Sequence, residues 1–319
     1  MVKLGMVTGF VWNGYKIEGE WMMRRMNRRD WCLGTMATGM AVAAGRSVFA
    51  NEESDHGVGT GKGFKGPVGL QLYSLRDTFA KDVEKGFEIA MGYGFKEVEL
   101  ANFYGMEPDA FRKKLYEFGF TARSIHWDVN DILNDPKKVI DTAQTIGLEF
   151  IGCAWAPHSD PFDEKQCLET ADRFNRAGEA LAKGGIQFFY HNHGFEFQPY
   201  GDGTLFDLLV AKTDPALVAF EMDVFWTVHP GQDPVSLLKK YPDRWQLFHL
   251  KDLAKGVETG KLTGSEDVRN DVALGTGQID LKNVLRTAQE IGVKYYYIED
   301  ESPSVIEQIP RSLKFLESL

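Results

Sequence analysis

Three cysteines in 319 residues are too few for a disulfide framework, and the chain must fold around an apolar core instead. Positive charge is also scarce: 36 Lys and Arg stand against 46 Asp and Glu, a formal net charge of −10. Such a surface repels phosphate backbones, which argues against a nucleic-acid binder; only a local basic groove would reverse that. No apolar stretch reaches the ~20 residues of a comfortable transmembrane helix. Hydrophobic residues at 43% and charged residues at 26% exclude a disordered, collagen-like or multi-span membrane chain.

What is present begins with an address. Arg28-Arg29 precede a weakly apolar run from Trp31 to Gly45, then Arg46, then Val48-Phe49-Ala50, a small-residue cleavage pattern. The segment resembles a twin-arginine export signal, with Trp31 and Cys32 where that pattern has Phe and Leu. Residues 1–50 are therefore expected to be an upstream extension and signal, and the mature chain to be periplasmic, without stable membrane insertion. Without a working signal it stays cytoplasmic. Residues 1–50 carry seven Lys/Arg and three Asp/Glu, so cleavage after Ala50 leaves a net charge of −14. Residues 51–66 are polar and glycine-rich and read as a flexible lead. Of the two remaining cysteines, Cys153 sits in an apolar run and reads as a small core residue rather than half of a disulfide.

From residue 67 onward one unit recurs. A helical stretch ends in Gly, an apolar residue follows, and a short β-rich run comes next. Tyr93-Gly94-Phe95, Phe118-Gly119-Phe120, Ile146-Gly147-Leu148, Gly184-Gly185-Ile186 and Ile291-Gly292-Val293 are the five instances. Glycine suits the residue just past a helix end because it takes the left-handed conformation without a Cβ clash. Strands are expected at 68–72, 96–100, 121–126, 149–154, 186–191, 217–223, 245–250 and 294–299. Helices are expected over 82–91, 108–118, 136–146, 163–183, 205–212, 234–241, 281–291 and 304–319. Eight strands alternating with eight helices in about 250 residues predict an α/β fold, a single-domain (β/α)8 TIM barrel over 67–319. An open doubly wound sheet is the alternative, and the lack of a Gly-rich phosphate loop after the first strand weakens it.

In such a barrel the chemistry lies at the C-terminal strand ends. Five of the seven histidines, His126, His158, His191, His193 and His249, fall at or just past those ends. Carboxylates join them: Glu99 on strand two, Asp223 on six, and Glu299 and Glu301 on eight. Imidazole and carboxylate from separate strands suit a divalent ion. His191, Asp223, His249 and Glu299 are the ligand set to expect. The plain alternative is a polar barrel mouth whose residues bind each other and water.

The segments GLQLYSLRD (69–77), YHNHGFEF (190–197), FEMDVFW (220–226), FHLKD (248–252), LGTGQID (274–280) and YYIED (296–300) resemble the xylose-isomerase-like sugar isomerase/epimerase superfamily. The resemblance covers about residues 67–319. It implies one divalent ion (Mn, Co, Zn, Fe or Mg) held at the positions of Asp223, His249, Glu299 and His191. The strand-five ligand is usually Glu, so His191 makes the site one negative charge poorer. His193 then matches a substrate-contacting or acid/base residue, and Lys251 a contact to substrate oxygen. Thr276 stands in the Gly-x-Gly loop where relatives often have an acid.

These parts imply a small carbohydrate substrate, a keto-sugar or related polyol, whose α-proton is removed to give an enediolate. Reprotonation gives isomerisation or epimerisation, the leading reading. Loss of a β-group gives elimination, as in a 3-keto-glycoside lyase or an inosose dehydratase. An exported sugar-binding barrel without turnover is the non-enzymatic alternative. A nuclease of the endonuclease IV branch is disfavoured by charge and by too few ligands. Expected bases are His193, then Glu196, Glu99 and Glu301. Tyr73, His126, Trp155, Trp226 and Glu301 are expected substrate contacts, with Phe103, Trp127 and Phe225 as further rim aromatics. Residues 253–273 form a candidate lid. Export and the absence of a Lys/Arg cluster at a helix start favour a non-phosphorylated substrate. A homo-oligomer stays open.

Overall fold

Alternating apolar runs and glycine-ended helices close into a cylinder. The computed structural model describes residues 57–319, together with a short antiparallel pair, Lys16–Ile17 with Glu20–Trp21. The expected export signal and cleavage site lie outside the described residues. The barrel strands are β1 (Val68–Gln71), β2 (Glu97–Leu100), β3 (Thr121–His126), β4 (Phe150–Cys153), β5 (Gln187–His191), β6 (Val218–Asp223), β7 (Trp245–Leu250) and β8 (Tyr295–Ile298). All neighbours pair in parallel, and β8 pairs back onto β1 to close the ring. The fold is a single (β/α)8 barrel, and each strand lies where its apolar run predicts.

One long helix follows each strand: α1 (Val83–Gly92), α2 (Pro108–Glu117), α3 (Pro136–Ile146), α4 (Glu164–Ala182), α5 (Leu205–Lys212), α6 (Pro234–Lys240), α7 (Leu281–Ile291) and α8 (Val305–Glu317). Side-chain caps start several of them. Asp82, Asp135, Asp163 and Asp233 each accept a backbone N–H of the first turn, which satisfies donors that have no intrahelical partner. Gly147 and Gly292 end α3 and α7 with φ of 95° and 87°, the left-handed cap read from the sequence. Short helical turns at Arg76–Phe79, Val129–Asn134 and Val224–Val228 were not legible as periodic segments because each has only four to six residues.

Two apolar layers hold the barrel. The larger lies between strands and helices. A smaller one fills the cylinder with Phe150, Phe189, Ala219, Leu247 and Tyr297. Gly152 belongs to this inner packing, since a Cβ there would meet the Phe189 ring at 2.2 Å. The plug excludes water beneath the polar layer described next.

One expectation changes. Residues 57–66, read as a flexible lead, are tied to the barrel: Phe64 is fully buried edge-on to Tyr296, and the Gly63 N–H donates to the Leu319 carbonyl. One large apolar side chain outweighs the glycine-rich composition. Cys153 and Cys167 are both free and buried, and burial pushes each thiol up to about 12, so neither is a reactive thiolate. Among the described residues no helix is long and apolar enough to cross a membrane.

Candidate active site

Strand alternation turns one residue in two toward the axis, and at the C-terminal end those residues are polar. Register pairs His191 on β5 with Glu221 on β6, and Asp223 on β6 with His249 on β7. Glu299 follows β8 directly. The ligand atoms of His191, Asp223, His249 and Glu299 all lie within 4.8 Å of one another, and all four residues are buried. His249 Nδ1 is 3.0 Å from Glu299 Oε2, and His191 Nε2 is 3.6 Å from Asp223 Oδ2. Donors around one ion at about 2.0–2.2 Å stand roughly 3–4 Å apart, so the set suits a single divalent cation. Asp223 Oδ2 is buried with no hydrogen-bond partner, which leaves an anionic oxygen open to a cation.

The electrostatics separate two kinds of histidine. Burial, reinforced by His249, holds His191 well below the ordinary range, so it is a neutral imidazole with a free lone pair. Burial acts on His249 in the same sense, but Glu221 and Glu299 override it and hold that imidazole well above the ordinary range. Its proton is the one an ion would displace. Burial also pushes Asp223 up to about 6.

Above this layer lies a cavity of about 380 Å³ lined by Tyr73, His126, Trp155, His191, His193, Trp226, Glu299 and Glu301, among others. All five expected substrate contacts are there. His193 presents a buried, unpartnered Nδ1, and burial with nearby Lys251 pulls it down to about 3, so the ring is neutral. Phe103 and Trp127 pack against each other, Phe103 also packs on Phe111, and Phe225 is buried, so the aromatic wall is Tyr73, Trp155 and Trp226.

Lys251 is 2% exposed and meets Glu301 Oε1 at 2.6 Å and Glu299 Oε2 at 3.2 Å. It reaches a second cavity of about 210 Å³ that shares Trp226, Gly264 and Glu301 with the first. Residues 253–273 form its roof. Gly264 lies so close to Trp155 that a Cβ would meet the ring at 2.5 Å. Glu266 anchors the segment to His229 Nε2 at 2.7 Å, and Lys261 within the segment meets the same carboxylate at 2.8 Å. The expected lid position is thus a strap crossing to the β4 side.

Two expected bases lie elsewhere. Glu99 is fully buried below the histidines, where it accepts from Gln71 Nε2 at 2.7 Å and meets His249 Nε2 at 2.6 Å. Glu196 points away from the cavity, bonded to the Tyr190 hydroxyl and the His193 N–H. Strand-end position shows that a carboxylate is near the mouth, but not which side of the wall it faces. The sequence reading also passed over Glu221, which meets His191 Nδ1 at 3.1 Å and His126 Nε2 at 3.0 Å. Its signal was the Glu-x-Asp alternation in β6. Asp252 was missed too: it accepts the N–H groups of Gly275 and Gly277, each at 2.9 Å, and so fixes the loop carrying Thr276.

Comparison with known proteins gives a family and relatives. The family described as xylose isomerase-like TIM barrel matches residues 86–319. The chain is 26% identical over 188 residues to inosose dehydratase of Geobacillus kaustophilus, covering 51% of this chain and 60% of that protein. It is 28% identical over 251 residues to inosose dehydratase of Lacticaseibacillus casei, covering 69% and 83%. In most of these curated relatives the match spans only about half their length. A crystal structure of a sugar phosphate isomerase/epimerase from Parabacteroides distasonis superposes with a TM-score of 0.65 at 25% identity, covering 79% of this chain and 96% of that one.

Proposed function

The chain belongs to the xylose isomerase-like TIM barrel family, and from that premise we propose that it is a divalent-metal-dependent enzyme. It removes the proton next to the carbonyl of a neutral keto-polyol or keto-sugar. The observation that carries this reading is the convergence of His191, Asp223, His249 and Glu299 at the floor of an aromatic-walled cavity.

A cation bound by these four residues supplies Lewis-acid polarisation of the substrate carbonyl. The remaining roles fall to the chain itself. Trp155, Trp226 and Tyr73 pack on the C–H faces of the ring. Neutral His193, on the cavity wall, accepts the α-proton. The Lys251 ammonium, held by Glu299 and Glu301, stabilises the developing enediolate charge. The 253–273 strap keeps water from the intermediate.

Elimination is the outcome we favour: the α-proton passes to His193, the imidazolium returns a proton to the β-hydroxyl, which leaves as water, and an enone results. The inosose dehydratase relatives support it. The leading isomerase/epimerase reading becomes the second, supported by the Parabacteroides neighbour. A non-phosphorylated substrate fits because, among the described residues, Lys251 is the one Lys or Arg side chain lining the two cavities, and carboxylates already engage it. The export reading, under which the enzyme works in the periplasm, is part of this proposal.

The test is to incubate the metal-loaded protein with an inosose in D2O and follow enone absorbance and α-carbon deuteration. Enone formation supports elimination. Deuteration without enone moves isomerisation to first place. Neither signal, across a panel of keto-sugars, leaves a binding protein.

A further inference from the structure

His191 and His249 each use one ring nitrogen toward the candidate ion position, and the other nitrogen points deeper into the barrel. His191 Nδ1 meets Glu221 Oε2 at 3.1 Å, and His249 Nε2 meets Glu99 Oε1 at 2.6 Å. The two carboxylates are joined by a third imidazole. His126 Nε2 lies 3.0 Å from Glu221 Oε2 and 3.3 Å from Glu99 Oε1. Glu221 Oε1 also approaches His249 Nε2, at 3.3 Å. Both glutamates are completely buried.

The backbone is irregular at these carboxylates. The β6–β7 register shifts between Phe220 and Glu221, and the β2–β3 register shifts between Val98 and Glu99. Such irregularities re-aim side chains and gather near active sites.

We propose that Glu221, His126 and Glu99 form one buried bridge that ties the two histidine ligands to each other and fixes which nitrogen each presents. The proposal rests on the ion-binding reading of His191, Asp223, His249 and Glu299. A carboxylate on the far nitrogen of a ligating histidine holds the ring's tautomer and orientation and strengthens it as a donor. Here the two outer carboxylates share His126, so the two ligands respond as a unit. His126 then has a role distinct from the substrate contact expected for it, although its edge also lines the cavity. Its ring packs at centroid distances of 5.3 Å from His191 and 5.4 Å from His249, which fixes both. These three are positioning residues.

The competing use of the same atoms is a second ion. His126, His191, Glu221 and His249 also offer ligand atoms within 4.8 Å of one another. The two uses differ in stoichiometry. A second ion would need the nitrogens of His191 and His249 that now face the glutamates, so two ions together would make each imidazole a bridge stripped of both N–H protons. Both glutamates stand at hydrogen-bond distance from those nitrogens, which favours the bridge of protons.

The experiment titrates metal-free protein with Zn2+ and, separately, Mn2+ by calorimetry. Wild type, Glu221→Gln, Glu99→Gln, the double variant and His126→Asn are compared, each with its thermal midpoint. The bridge predicts one ion per wild-type chain and roughly 10- to 100-fold weaker binding in each single variant, including His126→Asn, which removes no ligand of the upper set. The double variant weakens binding by less than the product of the singles, because the two carboxylates act through one network. An independent readout is 15N NMR of the histidine rings in metal-free protein. It should find His191 protonated at Nδ1 in wild type and a mixture of tautomers in Glu221→Gln.

Unchanged affinity in folded Glu221→Gln and His126→Asn overturns the bridge and leaves the ion site standing. Two ions in wild type and one in His126→Asn also overturn it, in favour of a second ion. No ion in wild type overturns the ion-binding reading itself, and the bridge with it. Should Glu99→Gln fail to fold, the more exposed His126→Asn carries the test.

Discussion

Lys251 and Glu301, from the ends of β7 and β8, meet at 2.6 Å in a nearly dry pocket, Nζ to Oε1. Asp223, Asp271 and Glu299 lie within 4 Å of the same ammonium. Burial acts against the charged form, but these carboxylates hold Lys251 well above its ordinary range, so it stays charged at every working pH. Replacing it with Met leaves buried carboxylates facing one another without a counter-charge. The expected cost is about 3–5 kcal/mol in denaturant unfolding of the metal-free protein. Enone formation or α-deuteration should be lost while metal binding survives, since removing Lys251 takes no ligand away.

The candidate ligands behave differently. Asp223→Ala and His249→Ala should each abolish tight metal binding, measured as metal per chain after dialysis, and should abolish turnover with it. Retention of about one ion per chain in both variants would refute the ligand set.

Trp155 is 47% exposed at the cavity rim, so little of the fold rests on it. Trp155→Ala should change unfolding free energy by no more than about 0.5 kcal/mol. It should weaken binding of the carbohydrate about tenfold, the scale of one lost aromatic contact near 1.4 kcal/mol. A larger stability loss with unchanged KM would make Trp155 a packing residue.

Gly264 tests the strap. Any side chain there enters the space of the Trp155 ring, so Gly264→Val should push residues 253–273 off the mouth. The thermal midpoint should move little, because the strap is held to the barrel through Glu266 and His229. The efficiency kcat/KM should fall at least tenfold, because the closed site no longer excludes water.

Glu196 gives a pH signature. Burial pushes its carboxyl up to about 7, against hydrogen bonds from Tyr190 and His193 that act to lower it. The folded state therefore holds this proton more tightly than the unfolded chain does, where the group titrates near the ordinary glutamate value. Stability from this group is full at pH 4 and falls as pH rises toward 7, by up to about 1.4 kcal/mol per pH unit. Glu196→Gln should flatten that part of the profile in urea unfolding from pH 4 to 8. A parallel pair of curves would show that Glu196 ionises in the folded state as it does in water.

Periodicity and caps were enough to read the barrel from the sequence. Apolar runs buried on both faces, glycines past helix ends, and Asp before the first turn are local features that the fold reuses unchanged. The same strand alternation brought His191, Asp223, His249 and Glu299 into one reading, because residues at strand ends of matching parity must meet at the axis of a closed parallel barrel. Tertiary structure alone decided the rest. Alternation turns Glu221 inward with Asp223, but only the closed barrel sets it and Glu99 against His126, His191 and His249. Glu196 leaves the mouth because Tyr190, on the outer face of β5, offers it a hydroxyl. Phe64 pins a glycine-rich lead to the barrel, since one buried ring outweighs several flexible residues. Which strand ends carry chemistry is a matter of local pattern; which neighbour each charge finds depends on depth and register, and those exist only once the cylinder has closed.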